Sequence, residues 1–144
     1  MITVRDCLES DLGAVAELEA GNILEPWSLK VLNDWLKLDR VTMVIAELDG
    51  EIVGYGSYEK VLDEAQVGNI CVSNRARRVG IASMIMTTLE IRARDLGCRV
   101  MLLEAAVGNV AALGLYEKLG YATLNIRKKY YKNRVDAKIM QKQL

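Results

Sequence analysis

The chain has 144 residues, 51% of them hydrophobic and 26% charged, with acidic and basic residues in equal number and no formal net charge. That size and balance describe one ordinary globular domain over residues 1–144, and no apolar run approaches the ~20 residues needed to cross a bilayer. The chain contains no histidine, which excludes Ser-His-Asp triads, Cys-His pairs and histidine-based zinc sites, so that no metal is expected and any general base must be a carboxylate, a tyrosine, a lysine or water.

The charge is unevenly spread. Residues 1–66 carry 14 acidic and 5 basic side chains, and residues 67–144 carry 5 acidic and 14 basic. Such asymmetry fits one face for an anionic ligand and another for a cationic one, or two halves that attract each other. Three cysteines, Cys7, Cys71 and Cys98, make an odd set without close spacing, as expected of thiols in a reducing cytosol. The opening MITVRDCLESD carries acidic residues and no long apolar core, so no signal peptide is expected.

In chain order, Ile2 to Cys7 alternates as a first strand. Glu9, Ser10 and Asp11 offer caps for a helix to about Ala20, which Gly21-Asn22 ends. Ser28 is the expected N-cap of a second helix carrying Leu29, Leu32, Trp35 and Leu36. Val41 to Leu48 and Glu51 to Tyr58 are strands joined by Asp49-Gly50, a strong hairpin signal. Val61 to Ala65 is expected to be a connection, followed by a strand from Gln66 to Val72. A long helix from about Gly80 to Leu96 ends at Gly97, and its apolar face is Ile81, Ile85 and Leu89. Arg99 to Glu104 reads as a buried strand, and about Asn109 to Leu119 as a helix that ends at Gly120. Two strands, Tyr121 to Arg127 and Arg134 to Gln141, close the chain around a basic, tyrosine-containing loop. The order is that of a mixed sheet with helices packed on it.

The stretch Asn69 to Ile85 carries the first chemical signal. A strand ends, a basic turn holds Arg75, Arg77 and Arg78, and Gly80 opens a helix. The first turn of a helix has backbone N–H groups without intrahelical partners, and its dipole favours an anion there. Glycine lets a bulky anion approach the backbone. On these residues alone the stretch is either a phosphate seat or a plain strand-to-helix turn with a solvated basic corner.

Arg77-Arg78-Val79-Gly80-Ile81-Ala82 resembles the R/Q-x-x-G-x-G/A motif of the GNAT family of N-acetyltransferases. Leu103-Glu104, Gly108-Asn109, Ala112, Leu115-Tyr116 and Leu119-Gly120-Tyr121 resemble the second half of that family's pattern. Within the family, Glu25-Pro26-Trp27-Ser28, Val61 to Ala65 and Arg127 to Tyr131 resemble the type that acetylates the N-terminal alanine of a small-subunit ribosomal protein. The turn Val72-Ser73-Asn74 lacks a proline common there, and Ala82 and Ser83 replace a more usual glycine and arginine.

The resemblance implies the α/β (α+β) GNAT fold, a mixed, mostly antiparallel central sheet of about seven strands flanked by about four helices. It implies transfer of acetyl from acetyl-CoA to a protein N-terminus in the cytoplasm, with no membrane or nucleic-acid partner expected. Glu104 is the implied base, its pKa raised toward the working range by burial at a strand end. Tyr116 is the implied acid, with Tyr121 the neighbour that could be mistaken for it. The backbone of Val79, Gly80, Ile81, Ala82 and Ser83 with Arg77 and Arg78 would hold the pyrophosphate, Ile70, Cys71 and Val72 would offer backbone groups to the pantetheine arm, and Asn109 would cap its helix, bind that arm, or do both. Cys71 alternates to the opposite face from its neighbours and is expected to be a small core residue. For a cationic acceptor the residues offer Glu25, Asp63 and Glu64, with Trp27 either walling a peptide groove or plugging the core, and Tyr130 and Tyr131 closing over the peptide. Two other readings remain on the residues: an acetyltransferase for a small amine or lysine side chain, and a module whose basic Arg127 to Arg134 loop binds RNA.

Overall fold

A computed structural model describes residues 1–22, 26–77, 79–128 and 136–144, with the backbone alone at Asn22. Strands β1 (Ile2–Asp6), β2 (Val41–Leu48), β3 (Glu51–Val61), β4 (Glu64–Val72), β5 (Val100–Ala106), β6 (Ala122–Arg127) and β7 (Ala137–Gln143) form one sheet in the order β1-β2-β3-β4-β5-β7-β6. The helices are α1 (Leu12–Asn22), α2 (Leu29–Leu36), α3 (Ile81–Asp95) and α4 (Val110–Lys118). Every neighbouring pair is antiparallel except β4 and β5. A parallel pair needs a crossover, and α3 supplies it. The architecture is the one the sequence implied. No helix among the described residues is long and apolar enough to cross a membrane.

Alternation along the strands makes two cores, one on each face of the sheet. On one face Ile81, Ile85, Met86 and Leu89 of α3 pack on Val44, Val53, Met101 and Leu103. On the other, Leu12, Val15 and Leu18 of α1 and Leu32 of α2 cover Ile45, Tyr55 and Cys71. Cys71 is thus a core residue facing away from Ile70 and Val72, which pack with the α3 core. The close fit of α3 depends on a missing side chain, because a Cβ on Gly56 would stand 2.6 Å from both Ile70 Cδ1 and Ile85 Cγ2.

Local signals set most element ends. The Ser28 hydroxyl accepts from the Val31 N–H at 3.2 Å and caps α2. At the end of α3 the Gly97 N–H donates to the Arg94 carbonyl at 3.0 Å and the Cys98 N–H to the Ala93 carbonyl at 2.9 Å, a Schellman termination. Asp49 and Gly50 both adopt positive φ, 52° and 85°, the type I′ turn that matches strand twist. One connection differs from expectation. Val61 to Ala65 is not a loop: Val61 pairs with Glu64, and Leu62-Asp63 alone make the turn, with Leu62 at φ 58°. Asp63 is the one turn-favouring residue of the stretch, so the local sequence marks a connection but not its two-residue length.

Two irregularities shape the middle of the sheet. Tyr58 pairs with Val67 but Gly56 with Ile70, so Gly68 and Asn69 face Ser57 alone as a bulge in β4. The β4–β5 ladder consists of Glu64 with Val100, Ala65 with Met101 and Gln66 with Leu102. Beyond it the two strands separate, leaving an opening through the sheet between the ends of β4 and β5.

Candidate active site

Gly80, at the mouth of that opening, has φ 83° and ψ 12°, a left-handed conformation that costs a residue with a Cβ about 1 kcal/mol or more. It is the N-cap of α3 and contributes no side-chain bond to the first-turn N–H groups. The Met84 N–H reaches the Gly80 carbonyl at 3.0 Å, so the helix begins at once. A Cβ on Gly80 would meet nothing within 4 Å, so the space before it is open. Neither α3 nor α4 carries an acidic residue in its first turn. Backbone donors, the dipole and the absence of local negative charge together make a seat for an anion.

A cleft of about 400 Å³ runs between this turn and α4. Of the residues singled out in the sequence, Val72, Arg77, Gly80, Ile81, Ala82 and Ser83 line it. Ala76, Ala111, Leu115 and Lys118 line it too, none of them expected at the site, although Leu115 belongs to the quoted family pattern. The last three recur at i, i+4, i+7, so the spacing of α4 held the signal. Arg77 and Lys118 are the cations of the lining, and the Arg77 Nε–H points to the Val72 carbonyl at 3.4 Å. Val79 is exposed beside the cleft. Asn109 caps α4, its side chain accepting from the Ala112 N–H at 3.2 Å. Arg78, Glu25, Tyr130 and Tyr131 lie outside the described residues.

The candidate acid and base stand on opposite sides of the sheet. Tyr116 is buried in the α3 core with its ring 6.0 Å from that of Tyr121, edge to face. Tyr121 is otherwise committed: its hydroxyl donates to Glu90 Oε2 at 2.8 Å, and Lys142 holds Oε1 of the same carboxylate at 2.8 Å. Burial, reinforced by Glu90, pushes the Tyr121 phenol up. Leu103 and Ala105 point into the α3 core, so Glu104 between them points to the face covered by α1 and α2. Glu104 is not buried as expected. It is exposed on that face, paired with the Arg127 guanidinium at 3.6 Å. The near-continuous apolar run around it suggested a strand covered on both faces, but among the described residues no helix covers the second face at Glu104, which stays exposed.

The acceptor-side candidates also sort themselves. Asp63 and Glu64 sit at the closed end of the opening, where β4 still pairs with β5, and not at its mouth. Trp27 is half-buried and stacks edge-to-face on Trp35 at 5.2 Å, so it is anchored in the core as well as facing outward. The charge asymmetry is not mainly a clasp between halves. Among the described residues Arg92–Asp6 and Arg75–Glu51 join them, while Arg5, Arg40 and Lys142 pair within their own half.

Known proteins resemble the chain in sequence and in fold. The model of the acetyltransferase (GNAT) family matches residues 11–121. The ribosomal protein bS18-alanine N-acetyltransferase of Escherichia coli (strain K12) is 30% identical over 143 residues, covering 97% of this chain and 96% of that protein. The crystal structure of the ribosomal-protein-S18-alanine N-acetyltransferase from Escherichia coli superposes with a TM-score of 0.92 at 29% identity, over 99% of this chain and 94% of that one. Ard1 from Thermoplasma volcanium has the same fold, with a TM-score of 0.93 at 21% identity, over 99% of this chain and 97% of that one.

Proposed function

The chain belongs to the GNAT family of acetyltransferases, and from that premise we propose that it transfers acetyl from acetyl-CoA to the N-terminal amine of a protein, the N-terminal alanine of a small-subunit ribosomal protein. The observation that carries the reading is the opening between β4 and β5, with an anion seat and cleft on the α3–α4 face and a carboxylate on the other. Two substrates can enter from opposite faces and meet within the sheet, which favours direct attack without a covalent enzyme intermediate. The choice of acceptor is supported by the bS18-alanine N-acetyltransferase relative, which aligns along 97% of this chain.

The residues present fit acetyl-CoA. The first-turn N–H groups from Val79 to Ser83, with Arg77 and Arg78, take the pyrophosphate, and Lys118 adds a cation across the cleft. Past the end of the β4–β5 ladder, Ile70 and Val72 turn their backbone groups to the edge that β5 has left, for the pantetheine arm as for an added strand, while the backbone of Cys71 between them is turned to Tyr55 of β3. Asn109 holds the start of α4 beside it. Bound acetyl-CoA supplies an activated thioester. A free α-amino group has a pKa near ~7.7–8, far below the ~10.4 of lysine, so a modest base suffices. Glu104 removes a proton from the amine as its nitrogen bonds to the carbonyl carbon. Tyr116 gives its proton to the sulfur as the C–S bond breaks. The three thiols are all free and buried, which fits a cytoplasmic enzyme.

The test is thiol release from acetyl-CoA with short peptides. Turnover is expected with a free N-terminal alanine and not with a blocked terminus carrying lysine. Turnover with the blocked peptide alone would move the acceptor to lysine, and binding of acetyl-CoA without turnover on any peptide would overturn the protein-acceptor reading.

A further inference from the structure

Glu19 is fully buried, yet it plays no part in the chemistry above. Its carboxylate is filled by donors from three other segments. Oε1 accepts from the Trp27 N–H at 2.8 Å, on the approach to α2. Oε2 accepts from the Tyr55 hydroxyl of β3 and from Asn69 Nδ2 at 2.9 Å, in the β4 bulge. The Cys71 thiol donates to the Leu18 carbonyl at 3.4 Å, so the last turns of α1 are tied to β4 twice. A charged group with no exposure can persist only when hydrogen-bonded, and these donors satisfy that need.

The chemistry of the pair has a consequence for Asn69. A carboxylate only accepts, so the amide must present its nitrogen to Glu19, and its oxygen is left over. Asn69 is half-buried, and among the described residues nothing donates to Oδ1. Asn69 lies on the α1–α2 face, where Glu104 also points. It sits on β4 three residues past the last paired row, Gln66 with Leu102, and Glu104 sits on β5 two residues past the same row. The two therefore flank the opening from the side on which an acceptor would enter. Gly68 brings the bulge close under Trp27 and Trp35, whose side chains would lie 3.6 Å and 3.5 Å from a Cβ there.

We propose that Asn69 binds the acceptor amine through Oδ1 and that Glu19 is the positioning residue that sets its amide. An amine or ammonium is a hydrogen-bond donor, and an oriented carbonyl oxygen across the opening from Glu104 holds its nitrogen in line with the thioester. Glu19 acts only through Asn69, since it is fully buried and both of its oxygens take protein donors. The assignment rests on the protein-amine reading above.

Steady-state kinetics with an N-terminal alanine peptide test it, alongside acetyl-CoA affinity by calorimetry and a thermal melt. Asn69→Ala is expected to raise the peptide KM about tenfold or more, with acetyl-CoA affinity within about twofold because the cleft lies on the other face. Asn69→Ser, which keeps a short acceptor, is expected to recover part of the loss. Glu19→Gln lets the amide turn and should raise peptide KM as well, and the double variant Glu19→Gln/Asn69→Ala should be no worse than Asn69→Ala. Unchanged peptide KM in Asn69→Ala, a matching loss of acetyl-CoA affinity, or additive effects would each overturn the assignment. No turnover of any peptide by the unaltered protein would instead overturn the functional reading and this assignment with it.

Discussion

Oε1 of Glu104 lies 3.6 Å from the guanidinium of Arg127, the two side chains reaching toward each other over β7, where their strands pair with Ile139 and Ala137. Arg127 is 54% exposed and Glu104 33%, and a pair so open to water contributes about 0–1 kcal/mol. A cationic acceptor can displace it. Glu104→Gln is therefore expected to lower kcat by about a hundredfold or more and to leave acetyl-CoA affinity intact. A loss of that affinity would remove Glu104 from the role of base. Arg127→Ala should scarcely change the melting temperature and should lower peptide KM at low ionic strength, with the difference fading as salt is added. A rise in KM would make Arg127 a contact for the acceptor and not its competitor.

The two neighbouring tyrosines separate by function. Tyr116→Phe is expected to lower kcat with little effect on either binding step, and the deficit should shrink for a thioester whose thiol is more acidic and leaves without help. Tyr121→Phe removes the donor to Glu90 Oε2. It should destabilise the fold by about 1–3 kcal/mol, as for a charged buried acceptor that loses a partner, and leave kcat unchanged. Chemical denaturation and turnover measured on both variants decide the matter. Equal kcat losses would refute the division.

Gly80 tests the anion seat. Its φ of 83° and the empty space before it mean that Gly80→Ala introduces backbone strain of about 1 kcal/mol and a methyl group where phosphate would approach. Acetyl-CoA affinity should fall well beyond the small change in stability. Affinity unchanged by the substitution would place the pyrophosphate elsewhere.

Cys7 and Cys71 are buried, and burial pushes both thiols up to about 11. In the unfolded chain a thiol ionises near 9.0. Below that value both states keep the proton, and the contribution to stability is complete. As the pH rises further the unfolded chain gains charge first, and stability falls until the folded thiols ionise too. Urea midpoints measured from about pH 8 to about pH 11 should decline, and less steeply in Cys7→Ala/Cys71→Ala than in the unaltered chain. An identical slope would mean that other groups carry the alkaline dependence.

The sequence by itself determined the element order, the caps at Ser28 and Asn109, the glycine terminations at Gly97 and Gly120, and the glycine that opens α3 at Gly80. Each depends on bonds within a few residues, so the local sequence carries the whole cause. It also placed Cys71 in the core, because strand alternation needs no knowledge of partners. The connection at Val61 to Ala65 was legible but its narrowing to Leu62-Asp63 was not, because a positive φ at a leucine is enforced by the pairing of β3 with β4 and not preferred by the residue. Only the tertiary structure decided that Glu104 is exposed, that Tyr121 belongs to Glu90 and Lys142, and that Glu19 reaches Asn69 and Tyr55. In each case the partners are far apart in the chain, and burial and long-range hydrogen bonds have no signature until the sheet has brought the strands together.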